Sequence, residues 1–197
     1  MFIAKELRKK NPAEYLLYMW QIEDMIRAMG CSLPLIRKAY INHFVDYTEE
    51  QKEEEADWFG HLVRMMNEEG KRESGHLNIN DILLKDMIDL HQRLLQSSKF
   101  PFYNAEYYKV LPFIVELRAR NKRAEHEADG LKMASDYEKG EIETCFDALY
   151  GIMVLRLQQK EISPDTQHAM KEITTFIGML SDYYLKDETE GLKFEDE

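Results

Sequence analysis

The sequence predicts an all-α fold, a single multi-helix bundle of roughly seven helical segments with two central helices. Apolar residues recur at three- and four-residue spacing along nearly the whole chain, as on helices that bury one face. Alternation of period two is nowhere sustained, and turn residues never frame a hairpin. Helix-starting and helix-stopping residues fall for the most part between the periodic runs.

The first helix starts at Asn11, whose side chain can cap free amides, followed by Pro12 where a missing N–H costs nothing. It runs to about Ala28 or Met29, ahead of Gly30. Ser32 and Pro34 open the second, whose Leu35, Ile36, Ala39, Tyr40 and Phe44 keep helical spacing to an end near Val45. Thr48 with Gln51 is a capping box for the third, and the acidic run Glu49 to Glu55 sits where the helix dipole favours negative charge. That helix turns Trp58, Phe59, Leu62, Val63, Met65 and Met66 inward, weakens at Gly70 and breaks before Gly75.

Asn78 or Asn80 caps the fourth helix, which carries Leu83, Met87, Leu90 and Leu94 and ends between Ser97 and Pro101. Asn104 restarts the chain as a fifth helix that Pro112 kinks or interrupts; it extends to about Tyr137, and Gly140 closes it. Its inner stripe is thin, made of Leu117, Ala124, Ala128 and Leu131. The sixth runs from Glu141 to about Glu161, and Ser163 with Pro164 caps the seventh, with Met170, Ile173, Ile177, Leu180 and Tyr184 inward.

At 197 residues the chain can bury about seventy per cent of its unfolded surface in one core, so it needs no disulfide or metal to fold. No Gly, Pro or Ser run is long enough for a linker, so one helical domain over 1–186 is expected, followed by an acidic, disordered tail over 187–197. Lys and Arg total 26 against 37 for Asp and Glu, and the formal charge of -11 argues against nucleic acid and anionic membrane as partners. The basic runs Lys5 to Lys10 and Arg118 to Arg123 read as solvated helix faces. Cys31 and Cys145 are too few and too far apart for a disulfide-built secreted domain, which predicts reduced thiols and a cytoplasmic location. The start of the chain lacks the apolar core of a signal peptide, and no run approaches the roughly 18 apolar residues of a membrane span.

The first and sixth helices are apolar nearly all round, which marks them as central. Their few polar residues are therefore the candidates for chemistry: Glu23, Asp24 and Arg27 on the first, Asp147 and Arg156 on the sixth. A charge stranded in a low-dielectric interior costs several kcal/mol, so pairing is expected, Glu23 or Asp24 with Arg156, or Arg27 with Asp147, with Tyr15 or Tyr18 completing the network. The simpler meaning is a structural ion pair. The sharper one is a ligand pocket built from Trp20, Glu23, Asp24, Arg27, Asp147 and Arg156.

No metal or cofactor is expected. Glu73 with His76, and Asp165 with His168, have a carboxylate–histidine spacing seen in metal-binding bundles, but the first pair straddles Gly75 and the second has Asp where Glu is usual. His126 lacks a second histidine four residues on, since that position is Gly130. Asp57 with His61, and His126 with Asp129, read as surface hydrogen bonds. His91 shares its face with apolar residues and reads as a core histidine with one satisfied nitrogen. Neither cysteine has a neighbouring histidine, and no phosphate-cradling glycine loop appears, so no enzymatic activity is assigned.

The run from Lys5 to Asp24, with Asn11-Pro12-Ala13-Glu14-Tyr15 at its helix start and Tyr18-Met19-Trp20-Gln21-Ile22 inside it, resembles the opening of DUF4924. That is a family of short helical Bacteroidetes proteins classed as a domain of unknown function. The resemblance implies a bacterial cytoplasmic protein with no assigned activity and supplies no catalytic residues. The leading expectation is a non-enzymatic interaction or scaffold protein whose partner is protein, self-associating through an aromatic or Met-rich helix face. The alternative is a ligand-binding or enzymatic bundle that uses the carboxylate and arginine cluster.

Overall fold

The computed structural model describes residues 1–128 and 139–194, and among them the chain is all-α, with eight α-helices, one 3₁₀ turn and no strand. In order these are α1 (Phe2–Lys10), α2 (Pro12–Ala28), α3 (Leu33–Ala39), the 3₁₀ turn Ile41–His43, α4 (Glu49–Glu68), α5 (Asn78–Gln96), α6 (Pro101–Ala128), α7 (Glu141–Leu157) and α8 (Pro164–Glu190).

Local chemistry sets most boundaries. Asn11 accepts the Glu14 amide at 3.2 Å ahead of Pro12, and Thr48 and Gln51 cap each other's backbone as a capping box. Ser163 accepts the Thr166 amide ahead of Pro164. Gly30 (φ +64°) ends α2, with its own amide on the Arg27 carbonyl and the Cys31 amide on the Ile26 carbonyl. Gly70 (φ +67°) ends α4 in the same way, on Asn67 and Met66. A side chain at either glycine would be strained by the left-handed backbone.

Several boundaries differ from expectation. The short helix α1 was not predicted, because its charged sequence offers only Ala4 as a buried residue. The α3 segment stops at Ala39 and tightens into the 3₁₀ turn instead of running on to Val45, and α4 stops at Glu68 because Gly70 already takes the cap. Helix α6 begins at Pro101 rather than Asn104, with proline in the first turn where it lacks nothing. The residues 129–138, with Asp129 and Leu131, lie outside the described residues, as do the side chains of His126, Ala124 and Ala128. Helix α7 ends at Leu157, ahead of Gln159 in left-handed conformation.

Within the segment from 187, α8 continues to Glu190, and Phe194 packs 5.3 Å from Phe100. The Arg93 guanidinium lies 4.0 Å over the Phe194 ring and donates to Asp187 at 3.0 Å. These contacts were invisible in the sequence because Phe194 is held by groups about a hundred positions away.

The chain divides into two compact units, Met1–Asp86 and Met87–Glu197, and the division falls inside α5 rather than at a linker. In the first unit Met19, Ile22 and Ile26 of α2 meet Ile36, Ile41, Phe59, Leu62, Met66 and Leu77 in one core. In the second, α8 packs on both α6 and α7. Phe146 and Cys145 of α7, Val110 and Ile114 of α6, and Ile173, Phe176 and Leu180 of α8 are fully buried. Helix α2 buries Leu16, Met19, Trp20, Ile22, Glu23 and Ile26, and α7 buries Ile142, Thr144, Cys145, Phe146 and Ile152, whereas Arg156 and Leu157 at its end are exposed, Leu157 by 74 %. Being apolar on every side does not require burial on every side. No helix among the described residues is long and apolar enough to cross a membrane.

Candidate functional site

Glu23 lies on the same face of α2 as Leu16, Met19 and Ile26, so helical spacing carries its carboxylate into the core, where it is fully buried. Its Oε1 accepts the Leu77 amide at 2.9 Å and the Asn80 side-chain N–H at 2.6 Å; its Oε2 lies 2.7 Å from His76 Nδ1. The carboxylate thus sits at the start of α5, where the helix dipole favours an anion. The indole of Trp20 stacks on the His76 ring at 4.1 Å, within 14° of parallel.

One turn further along α2, Arg27 stands 3.9 Å from Glu23 and donates to Asp24 at 2.5 Å, to the Lys71 carbonyl at 3.1 Å and to the Gly75 carbonyl. Together Glu23 and Arg27 hold the loop 70–77 against α2. Burial, only partly offset by Lys71 3.9 Å away, raises the Asp81 carboxyl above its usual range. Asn80 is buried, and its side-chain oxygen has no hydrogen-bond partner among the described residues.

The partners found for the charged residues of α2 and for Asp147 of α7 lie within each residue's own unit. Arg27 meets Asp24 and two loop carbonyls, Glu23 meets His76, Leu77 and Asn80, and Asp147 pairs with Lys139 at 2.5 Å. Arg156 is exposed at the end of α7. Trp20, Glu23, Asp24 and Arg27 therefore form one cluster, to which the structure adds His76 and Asn80. The sequence offered a single signal for this addition, the buried position of Glu23, which demands a partner without saying which. Chemically, a carboxylate on one imidazole nitrogen is how a general base is oriented. Here the same contacts close the loop onto the helix.

A second polar cluster lies in the other unit. His91 is 5 % exposed, with Nδ1 2.7 Å from the Tyr103 hydroxyl and Nε2 3.8 Å from Glu141. Tyr107 donates to Glu141 at 2.9 Å. The neutral ring with its proton on Nε2 suits both neighbours, since Tyr103 can then donate to Nδ1. Burial is the main cause that lowers the His91 pKa, and burial plus the Glu141 hydrogen bond pushes Tyr107 up to about 12. Burial also raises the Cys145 thiol far above its ordinary value, so it stays a thiol, with none of the thiolate character that a nucleophile needs. His91 is thus the core histidine the sequence suggested.

The third feature is on α6. Tyr103, Tyr107, Val110 and Ile114 form its buried stripe. About 200° round the helix, Pro101, Ala105, Tyr108, Pro112, Val115 and Ala119 form a second apolar stripe, every member of it exposed. Tyr108 is 67 % exposed, Val115 56 % and the neighbouring Phe102 80 %. No group of three or more His, Cys, Asp or Glu among the described residues could hold a metal ion.

Fold and clusters define an all-α protein in which, among the described residues, Glu23 and Arg27 tie a loop to α2 and α6 carries an exposed apolar stripe. The chain belongs to the family described as "Domain of unknown function (DUF4924)", whose profile matches residues 1–191. No curated protein and no solved structure matches it.

Proposed function

We propose that this protein is a non-enzymatic helical interaction protein that associates with itself through an exposed helix face. The observation that carries this reading is the outer stripe of α6, where apolar residues at alternating spacings of four and three remain exposed. That spacing is the seam pattern by which one helix packs on another. A helix already anchored by one apolar stripe gains nothing within its own fold from a second. The setting that goes with this reading is the bacterial cytoplasm, supported by two free, buried cysteines and by the family resemblance. A formal charge of -11 weighs against nucleic acid and anionic lipid as partners.

Sedimentation across a wide concentration range tests the reading. Self-association that strengthens with concentration is expected. A monodisperse monomer at every concentration would remove it.

A further inference from the structure

We infer that the partner on α6 is the same helix of a second copy, running antiparallel, with Tyr108 of each chain laid against Pro112 of the other. This rests on the self-association reading and specifies its surface and geometry.

The first argument is shape. In heptad terms Ala105, Pro112 and Ala119 occupy a positions, and Pro101, Tyr108 and Val115 occupy d positions. Parallel pairing would set like against like, Tyr108 on Tyr108 next to an Ala105 layer with nothing to fill it. Antiparallel pairing sets each a residue against a d residue: Pro101 meets Ala119, Ala105 meets Val115, and Tyr108 meets Pro112. Each layer then joins a larger side chain to a smaller one or a ring to a ring, the alternation that fills space at native density. All three pairings share one symmetry centre, at Val110, so a two-fold axis satisfies them at once.

The second argument is charge. Parallel pairing would bring Arg118, Arg120 and Lys122 of two copies side by side, whereas antiparallel pairing separates them by most of the about 27 Å that the stripe spans.

The third argument is area. The exposed parts of Phe102, Tyr108 and the rest of the stripe offer roughly 500 to 600 Å² per copy, so two copies bury about 1,100 Å². That is the lower edge of what a specific interface needs. Pro112 stands inside the helix. A proline ring opens a helix on its own side, which makes the seam convex and gathers the tightest contact at the Tyr108 and Pro112 layers. The expected complex is therefore a dimer with a micromolar dissociation constant, not an obligate one.

The experiment uses the full chain. Ala105→Cys and Val115→Cys variants are treated with a short thiol crosslinker, separately and mixed, with the wild type as control for the buried Cys31 and Cys145. A crosslinked dimer is expected in the mixture and not from either variant alone. Tyr108→Lys, at a site 67 % exposed, should keep the melting temperature and weaken sedimenting dimers at least tenfold. Dimers in which Ala105→Cys crosslinks to itself would overturn the antiparallel seam and leave self-association standing. Dimers that give no crosslink and ignore Tyr108→Lys would overturn α6 as the surface. A protein that is monomeric throughout would remove the underlying reading as well.

Discussion

The two units of this protein each bury a polar cluster that includes a histidine, and they stabilise it in opposite ways. In the first, Glu23 has no exposed surface and is surrounded by donors: an amide, an amide side chain, an imidazole and a guanidinium. In the second, His91 is held among aromatic rings, Tyr103, Tyr107 and Phe176, and burial keeps it neutral. The first cluster ties a loop to a helix and so contains groups that must be compensated as charges. The second ties core side chains to one another and avoids charge at its centre. A buried charge calls for several partners at once, whereas a buried neutral group needs one good hydrogen bond.

The largest expected effect lies at Glu23. Glu23→Leu strands the Leu77 amide, the Asn80 side chain and the His76 ring nitrogen, so unfolding in urea should show a loss of about 3–5 kcal/mol. Glu23→Gln keeps an acceptor for Leu77 but not the charge, and should lose about half as much. A loss under 1 kcal/mol for Glu23→Leu would mean that the cluster is not holding the loop.

Next comes the neutral cluster. His91→Leu leaves the Tyr103 hydroxyl buried without an acceptor, for a loss of about 1–3 kcal/mol. The double variant His91→Leu with Tyr103→Phe, measured in the same urea titration, should recover part of it, because both polar groups then disappear together. If the double variant is as unstable as the two single losses combined, the hydrogen bond is not what matters there.

The histidine also predicts a pH dependence. Its folded pKa lies below the ordinary value near 6.5, so below that pH the unfolded chain takes up the proton more readily than the folded one. Stability from this group is therefore present above about pH 6.5 and falls on acidification, by at most about 1.4 kcal/mol per pH unit. His91→Gln should flatten that part of the stability profile. An unchanged slope in His91→Gln would assign the dependence to other groups.

The smallest effect provides a baseline for both clusters. Arg37 and Glu53 form a bidentate pair on the surface, Arg37 raised and Glu53 lowered in pKa mainly by their mutual hydrogen bonds. Solvent screens such a pair, so Glu53→Gln should leave the melting temperature within measurement scatter.

Legibility followed range. The caps at Asn11, Thr48 and Ser163 were read correctly because donor and acceptor lie within three residues of each other. That Glu23 is buried and must be partnered was legible from its position among apolar residues on one helix face. Its partners were not, because they lie 53 to 57 residues along the chain, in a loop and at the start of α5. The pairing expected between α2 and α7 rested on helical periodicity alone, whereas the partners found for Glu23, Arg27 and Asp147 lie within each residue's own unit.

By itself, then, the sequence determined the helical class, most helix starts, the inward face of α2 and the need to neutralise what that face buries. These follow from backbone geometry and from the cost of desolvating charge, both of which act over a few residues. Only the tertiary structure decided that a loop and the start of α5 would neutralise Glu23, and that α6, α7 and α8 would each pack on the other two. It also decided which of the two apolar stripes of α6 would be left exposed. Such choices depend on which surfaces meet once helices pack, and helical periodicity is the same whatever a face packs against.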